Sequence, residues 1–117
     1  MFFSKSIYFR CLFCYLNGYA LMTSTKNILY WLVANSVGGY SRGLIINQLF
    51  AQPENAYNLS IKLNIDYNTT RYHLNILLKN GLLETAGDAY GKTYFITNNL
   101  MDHKKYFYKI WNEYMKK

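Results

Sequence analysis

The sequence predicts an α+β fold, mainly α: a three-helix core carrying a β-hairpin, with a further helix at each end. Three observations predict it. Between Asn55 and Leu83 the run NAYNLSIKLNIDYNTTRYHLNILLKNGLL reads as two helices joined by a tight turn, each with apolar residues at helical spacing. From Leu82 to Thr97, two short strand-like runs flank the turn-rich segment AGDAYG. From Leu100 to Lys117, Leu100, Phe107, Ile110, Trp111 and Tyr114 fall on one face of a closing helix, with Lys104, Lys105, Lys109, Lys116 and Lys117 around the others.

A chain of 117 residues suits one domain and one modest core. Apolar residues make up 51% and aromatics 19%, which argues against disorder. Thirteen Lys and Arg against six Asp and Glu leave a net charge of +7, which favours a polyanionic partner such as nucleic acid or an anionic membrane surface. Charge alone does not decide, because small basic proteins also use it for solubility. The helix pattern has to.

Several chemistries find no support. There is no phosphate-binding glycine loop, no HExxH and no nucleophile motif, and the two histidines, His73 and His103, fall on different helices. No enzymatic activity is expected. Cys11 and Cys14 form a C-x-x-C pair, but two thiolates cannot complete a tetrahedral zinc site in one chain. Their apolar, aromatic surroundings favour plain burial over redox work. No metal or cofactor is expected, and with no disulfide framework the reducing cytoplasm is the default location.

Residues 1–24 read as an N-terminal extension, and 25–117 as the domain. Lys5 and Arg10 precede an uncharged run from Cys11 to Met22, which imitates a signal peptide but contains Asn17 and Gly18 and lacks a small-x-small cleavage site. The run is also short of the ~20 apolar residues that span a bilayer. Met22 begins MTSTKNILYW, which looks like a start of its own. An upstream extension of the reading frame or accessory packing is therefore expected over a membrane anchor, although Lys26 is the sole charge between Cys11 and Ser41.

Thr23, Ser24 and Thr25 can each cap a helix, and Ile28, Leu29, Trp31, Leu32 and Val33 give it two to three turns before Gly38-Gly39 ends it. Ser41 is the next cap candidate, for a helix over 41–50 with Leu44, Ile45, Leu49 and Phe50 inward. Gln52-Pro53 stops it, since a residue before proline is pushed out of the α region. Asn55 caps the following helix, whose buried stripe is Ala56, Leu59 and Leu63. Asn64-Ile65-Asp66 makes the turn: asparagine tolerates the left-handed conformation, and Asp66 can cap the next helix.

That next helix, Tyr67 to Asn80, has an inward stripe of Tyr67, Thr70, His73 or Leu74, Leu77 and Leu78. Its outward stripe is Asn68, Thr69, Tyr72, Asn75 and Lys79, with Arg71 on the flank. Asn80-Gly81 ends it. His73 sits between faces, where a half-buried histidine bonded to a carbonyl is the expected role. Asn58 and Lys62 are expected to be solvated.

In this order and spacing, the residues resemble the ArsR-type winged helix-turn-helix regulators, most nearly the archaeal members. The resemblance rests on Ile65-Asp66-Tyr67-Asn68-Thr69, His73-Leu74-Asn75-Ile76-Leu77 and Asn80-Gly81-Leu82, on a hairpin with Tyr90-Gly91-Lys92 and Tyr94-Phe95, and on LYWLVANSVGGYSR upstream. It covers Ile28 to Phe95 and leaves the first 21 residues without a counterpart. The family's metal-sensing cysteines have no equivalent here, so metal sensing does not carry over.

The resemblance implies a DNA-binding transcriptional regulator with helix 67–80 in the major groove and the hairpin over 82–97 as a wing. A helix fits that groove and offers its first residues to base edges. Asn68 and Asn75 suit adenine, Thr69 a thymine methyl or a phosphate, and Arg71 guanine or phosphate. Tyr72 suits phosphate or sugar, and Lys79 the backbone. Ser41 and Arg42 suit a phosphate at the scaffold helix start, and Tyr90 and Lys92 the minor groove or flanking backbone. Double-stranded DNA is the expected partner, and no small-molecule effector is identifiable. The last helix is expected to form a homodimer, with folding back onto its own core nearly as good a use. Two other functions stay open: a winged-helix protein-interaction module without DNA binding, and a membrane-anchored regulator.

Overall fold

A computed structural model of the chain describes residues 24–88 and 91–115. The cysteine pair, the apolar run before Thr23, Tyr90 and the last two lysines lie outside the described residues. The fold is α+β and mainly helical. In chain order it runs α1 (Thr25–Leu29), a π-helical segment (Tyr30–Ala34), α2 (Gly39–Ala51), β1 (Glu54–Asn55), α3 (Ala56–Leu63) and α4 (Tyr67–Lys79). Then come β2 (Leu83–Ala86), β3 (Thr93–Ile96), α5 (Asn98–Met101) and α6 (Lys104–Met115). Among the described residues no helix is long and apolar enough to cross a membrane.

The helices assemble around one core. Leu29, Ile45, Ile46, Leu59, Leu74, Ile76, Leu77, Leu82, Leu100 and Phe107 are all fully buried. Each such side chain contributes about 1.5–3 kcal/mol relative to exposure, so this cluster holds the helices together. The hairpin expected over 82–97 is present, with Leu83 opposite Ile96 and Ala86 opposite Thr93. It gains a third strand that the sequence pattern did not predict. β1 pairs antiparallel with β3, Glu54 opposite Tyr94 and Asn55 opposite Thr93, giving the order β1-β3-β2.

The first helix departs from expectation. Ser24 caps it, its hydroxyl accepting from the Asn27 amide at 3.1 Å. The helix then widens into π turns and ends at Ala34, before the glycine pair. Gly38 sits at φ +88°, a conformation that favours glycine, and precedes α2 directly. Ser41 therefore lies inside the first turn of α2 and is not its cap.

The last helix is broken. Thr97 caps α5 through its hydroxyl at 3.2 Å from the Leu100 amide, and a turn at Asp102-His103 separates α5 from α6. The His103 ring Nδ1–H donates to the Asn99 carbonyl at 2.8 Å in that turn. The apolar face expected to form a dimer is used within the chain: Leu100, Phe107 and Ile110 are buried. Trp111 stacks on Phe107 and on Tyr40, each with ring centroids 5.8 Å apart. Its indole covers Gly43, leaving no room for a β-carbon there. Trp111 and Tyr114 stay half-buried on the same face.

Candidate nucleic-acid interface

The geometry of α4 follows from its two ends. Asn64 closes α3 at φ +55°, and the Ile65 and Asn64 amides reach back to the Ser60 and Ile61 carbonyls at 3.0 and 3.3 Å. These paired bonds form a Schellman motif with asparagine in place of glycine. Two residues later the Asp66 carboxylate accepts from the Thr69 amide at 3.1 Å and starts α4. The far end repeats the device, with the Gly81 and Leu82 amides bonded to the Leu78 and Leu77 carbonyls, both at 3.0 Å. The Asn80 side-chain amide donates to the Ile76 carbonyl at 2.8 Å. Both ends of helix α4 are thus closed by local hydrogen bonds.

Its buried face is Thr70, His73, Leu74, Ile76 and Leu77. Asn68, Thr69, Arg71, Tyr72, Asn75 and Lys79 are all exposed. Tyr67, expected inward, is 43% exposed instead. Ile76, outside the expected stripe, is fully buried. Asn58 and Lys62, expected to be merely solvated, bind the Glu54 carboxylate at 3.1 and 2.7 Å. Lys62 first and Asn58 second hold the Glu54 carboxyl down to about 2.

Arg42 corrects the expectation most sharply. It was expected to meet a phosphate, yet it is 0% exposed. Its Nε donates to the Leu32 carbonyl at 2.8 Å, and its Nη2 donates to the Ser36 hydroxyl at 2.6 Å and the Val37 carbonyl at 2.9 Å. Its Nη1 lies 3.1 Å from His73 Nδ1. A guanidinium can only donate, so Nδ1 accepts and the imidazole is neutral. Burial first, and the Arg42 charge second, hold His73 down to about 4. Burial likewise lowers Arg42 to about 10. The pair ties α2 and the π-helical segment to the inner face of α4. Ser41, beside it, is half-buried.

The first turn of α4 meets the sheet across a cleft of about 460 Å³, lined by Asn55, Ala56, Tyr57, Tyr67, Arg71, Lys92 and Tyr94. The Arg71 guanidinium lies 5.9 Å from the Tyr67 ring centroid, and Lys92 is exposed on the sheet side. Burial pushes the Tyr94 phenol up, with the Arg71 charge opposing. The structure therefore brings Arg71 and Lys92 together, while Lys79 stands at the opposite end of α4. The three tyrosines of the cleft were not among the expected site residues. Alternation in Thr93–Ile96 was the available signal for Tyr94, but α3, α4 and β3 had to be placed before the rings could be seen to converge. Among the described residues no three His, Cys, Asp or Glu side chains gather where a metal could sit. No protein-family model and no curated protein matches the chain.

Proposed function

We propose that the protein is a sequence-specific, DNA-binding transcriptional regulator of winged helix-turn-helix type, akin to the ArsR-like regulators. In this reading α3, the Asn64–Asp66 turn and α4 are the helix-turn-helix, and β2–β3 is the wing. One observation carries it: the exposed row Asn68, Thr69, Arg71, Tyr72, Asn75 and Lys79 on a helix whose opposite face is bolted into the core. A helix so fixed can enter a major groove about 12 Å wide without losing its register.

The roles follow from chemistry and position. Asn68, Thr69, Arg71 and Tyr72 lie on the first half of the helix, the part a docked helix offers to bases and nearby phosphates. Asn75 is a second amide for adenine, and Lys79 meets the backbone. Lys92 on the sheet side reaches flanking phosphate. Arg42 has no part in contact and acts by holding α4 against α2. A homodimer on a two-fold operator would use what the last helix leaves accessible, since Leu100, Phe107 and Ile110 are buried within the chain while Trp111 and Tyr114 are half-buried.

A gel shift on the promoter of the protein's own gene tests the reading, with Arg71→Ala as control. The reading predicts a retarded duplex that salt disperses and that Arg71→Ala weakens by about tenfold or more. Absence of salt-sensitive binding to this and to randomised duplexes would end it. The docking-module alternative draws less support, since such a module has no use for an exposed Arg, Lys, Asn and Thr row.

A further inference from the structure

The cleft between α3, the first turn of α4 and β3 has a chemistry of its own. Two cations, Arg71 and Lys92, line it, and no acidic side chain does among the described residues. The ion pair among the described residues, Lys62 with Glu54, leaves both of them out. The N-terminus of α3 opens into it through Ala56 and Tyr57. There the partial positive charge of the helix end adds to the two cations.

The walls are as telling as the charge. Tyr57 is 63% exposed and Tyr67 half-exposed, so both rings offer flat apolar area to a molecule in the cleft. Tyr94 is 3% exposed, yet it lines the cleft. No hydrogen bond ties its hydroxyl to another described residue, and no buried side-chain oxygen or nitrogen among them lacks a partner. The hydroxyl is therefore accessible, on a residue that lines the cleft, and is available as a donor or acceptor for a molecule that enters. A volume of about 460 Å³ falls within the range of small-molecule sites and far exceeds a lone phosphate.

We propose that this cleft binds a free nucleotide of nucleoside-monophosphate size. Its phosphate sits between Arg71, Lys92 and the α3 N-terminus, its base stacks on Tyr57 and Tyr67, and the Tyr94 hydroxyl bonds its polar edge. Such a ligand occupies Arg71 and Lys92, so it competes with duplex DNA and becomes the signal to which the regulator responds. That last step rests on the DNA-binding reading; the binding itself does not.

The test is calorimetric titration of the full chain, without DNA, with AMP, GMP, CMP and UMP, and with adenosine and inorganic phosphate as controls. At least one nucleoside monophosphate binds saturably with Kd below about 1 mM. The matching nucleoside and inorganic phosphate bind about tenfold more weakly or worse. Tyr57→Ala and Tyr94→Phe each weaken the nucleotide about tenfold, by loss of stacking and of one hydrogen bond. Thermal unfolding verifies that both variants fold, and the two leave duplex affinity unchanged. A saturating nucleotide raises the Kd for duplex. Nucleotide binding with no duplex binding sustains the site and overturns the DNA-binding reading instead. If none of the four nucleotides binds, the proposal fails. It fails equally if duplex affinity drops in Tyr57→Ala and Tyr94→Phe without nucleotide binding, because the cleft is then a seat for the DNA backbone.

Discussion

Acidification should uncouple the scaffold from α4, because His73 is kept neutral by its place beside Arg42. The imidazole is held at about 4 by burial and by the neighbouring guanidinium, against an ordinary 6.5. Its folded-state value lies below the unfolded one, so the unfolded chain takes up the proton first. The stabilisation is fully present above about pH 6.5 and is lost as the pH falls toward 4. At about 1.4 kcal/mol for each pH unit, that window is worth about 3 kcal/mol, a large part of the ~5–15 kcal/mol a domain has. Denaturant unfolding at closely spaced pH values reads it directly. The control is His73→Gln, whose side-chain carbonyl can accept from Arg42 but does not titrate. The wild type should lose about 3 kcal/mol more than the variant between pH 6.5 and 4. Parallel curves for the two proteins across that window would refute the argument.

The remaining predictions use the same contacts. Arg42→Met removes the donors to the Leu32 and Val37 carbonyls, the Ser36 hydroxyl and His73 Nδ1, leaving the Ser36 hydroxyl bonded to the Leu32 carbonyl at 3.3 Å, and should cost about 3 kcal/mol or more by thermal or denaturant unfolding. Any folded Arg42→Met should keep the wild-type salt dependence of DNA binding, since the guanidinium never reaches a phosphate. Gly43→Ala drives a methyl into the Trp111 indole and should cost about 1–3 kcal/mol, with a changed near-UV signal from the displaced ring. Glu54, held down to about 2 by Lys62 and Asn58, contributes stability that is present above pH 4.5 and lost as the pH falls toward 2. Glu54→Gln should remove that acid limb while leaving the His73 window intact.

How much of the fold and site was legible in the sequence depends on how local the causes are. The ends of α4 were readable because each is set by side chains within three or four residues: Asp66 bonds Thr69, and Asn80-Gly81 must stop a helix. The polar stripe was readable because helical spacing alone separates Asn68, Thr69, Tyr72 and Asn75 from Leu74 and Leu77. Arg42 was misplaced because its partners are the carbonyls of Leu32 and Val37, which come within reach only after the π-helical segment turns back. Strand β1 was missed because two residues, Glu54 and Asn55, carry no alternation to detect. The break at Asp102-His103 involves neither glycine nor proline: there the His103 ring donates to the Asn99 carbonyl, and the His103 amide bonds the Leu100 carbonyl instead. The cleft was hidden for the same reason as Arg42: its walls come from three elements that the chain separates.

The most direct test of the central claim is the salt dependence of duplex binding, measured by fluorescence anisotropy on a selected operator. With Arg71, Lys79 and Lys92 meeting phosphates, log Kd should rise with log salt at a slope of about 2.7 per bound chain, a loss of roughly fortyfold between 50 and 200 mM. Lys79→Gln and Lys92→Gln should each lower the slope by about 0.9. A slope near zero, or one that neither substitution changes, would contradict the assignment of α4 and the β2–β3 hairpin as a DNA-binding face.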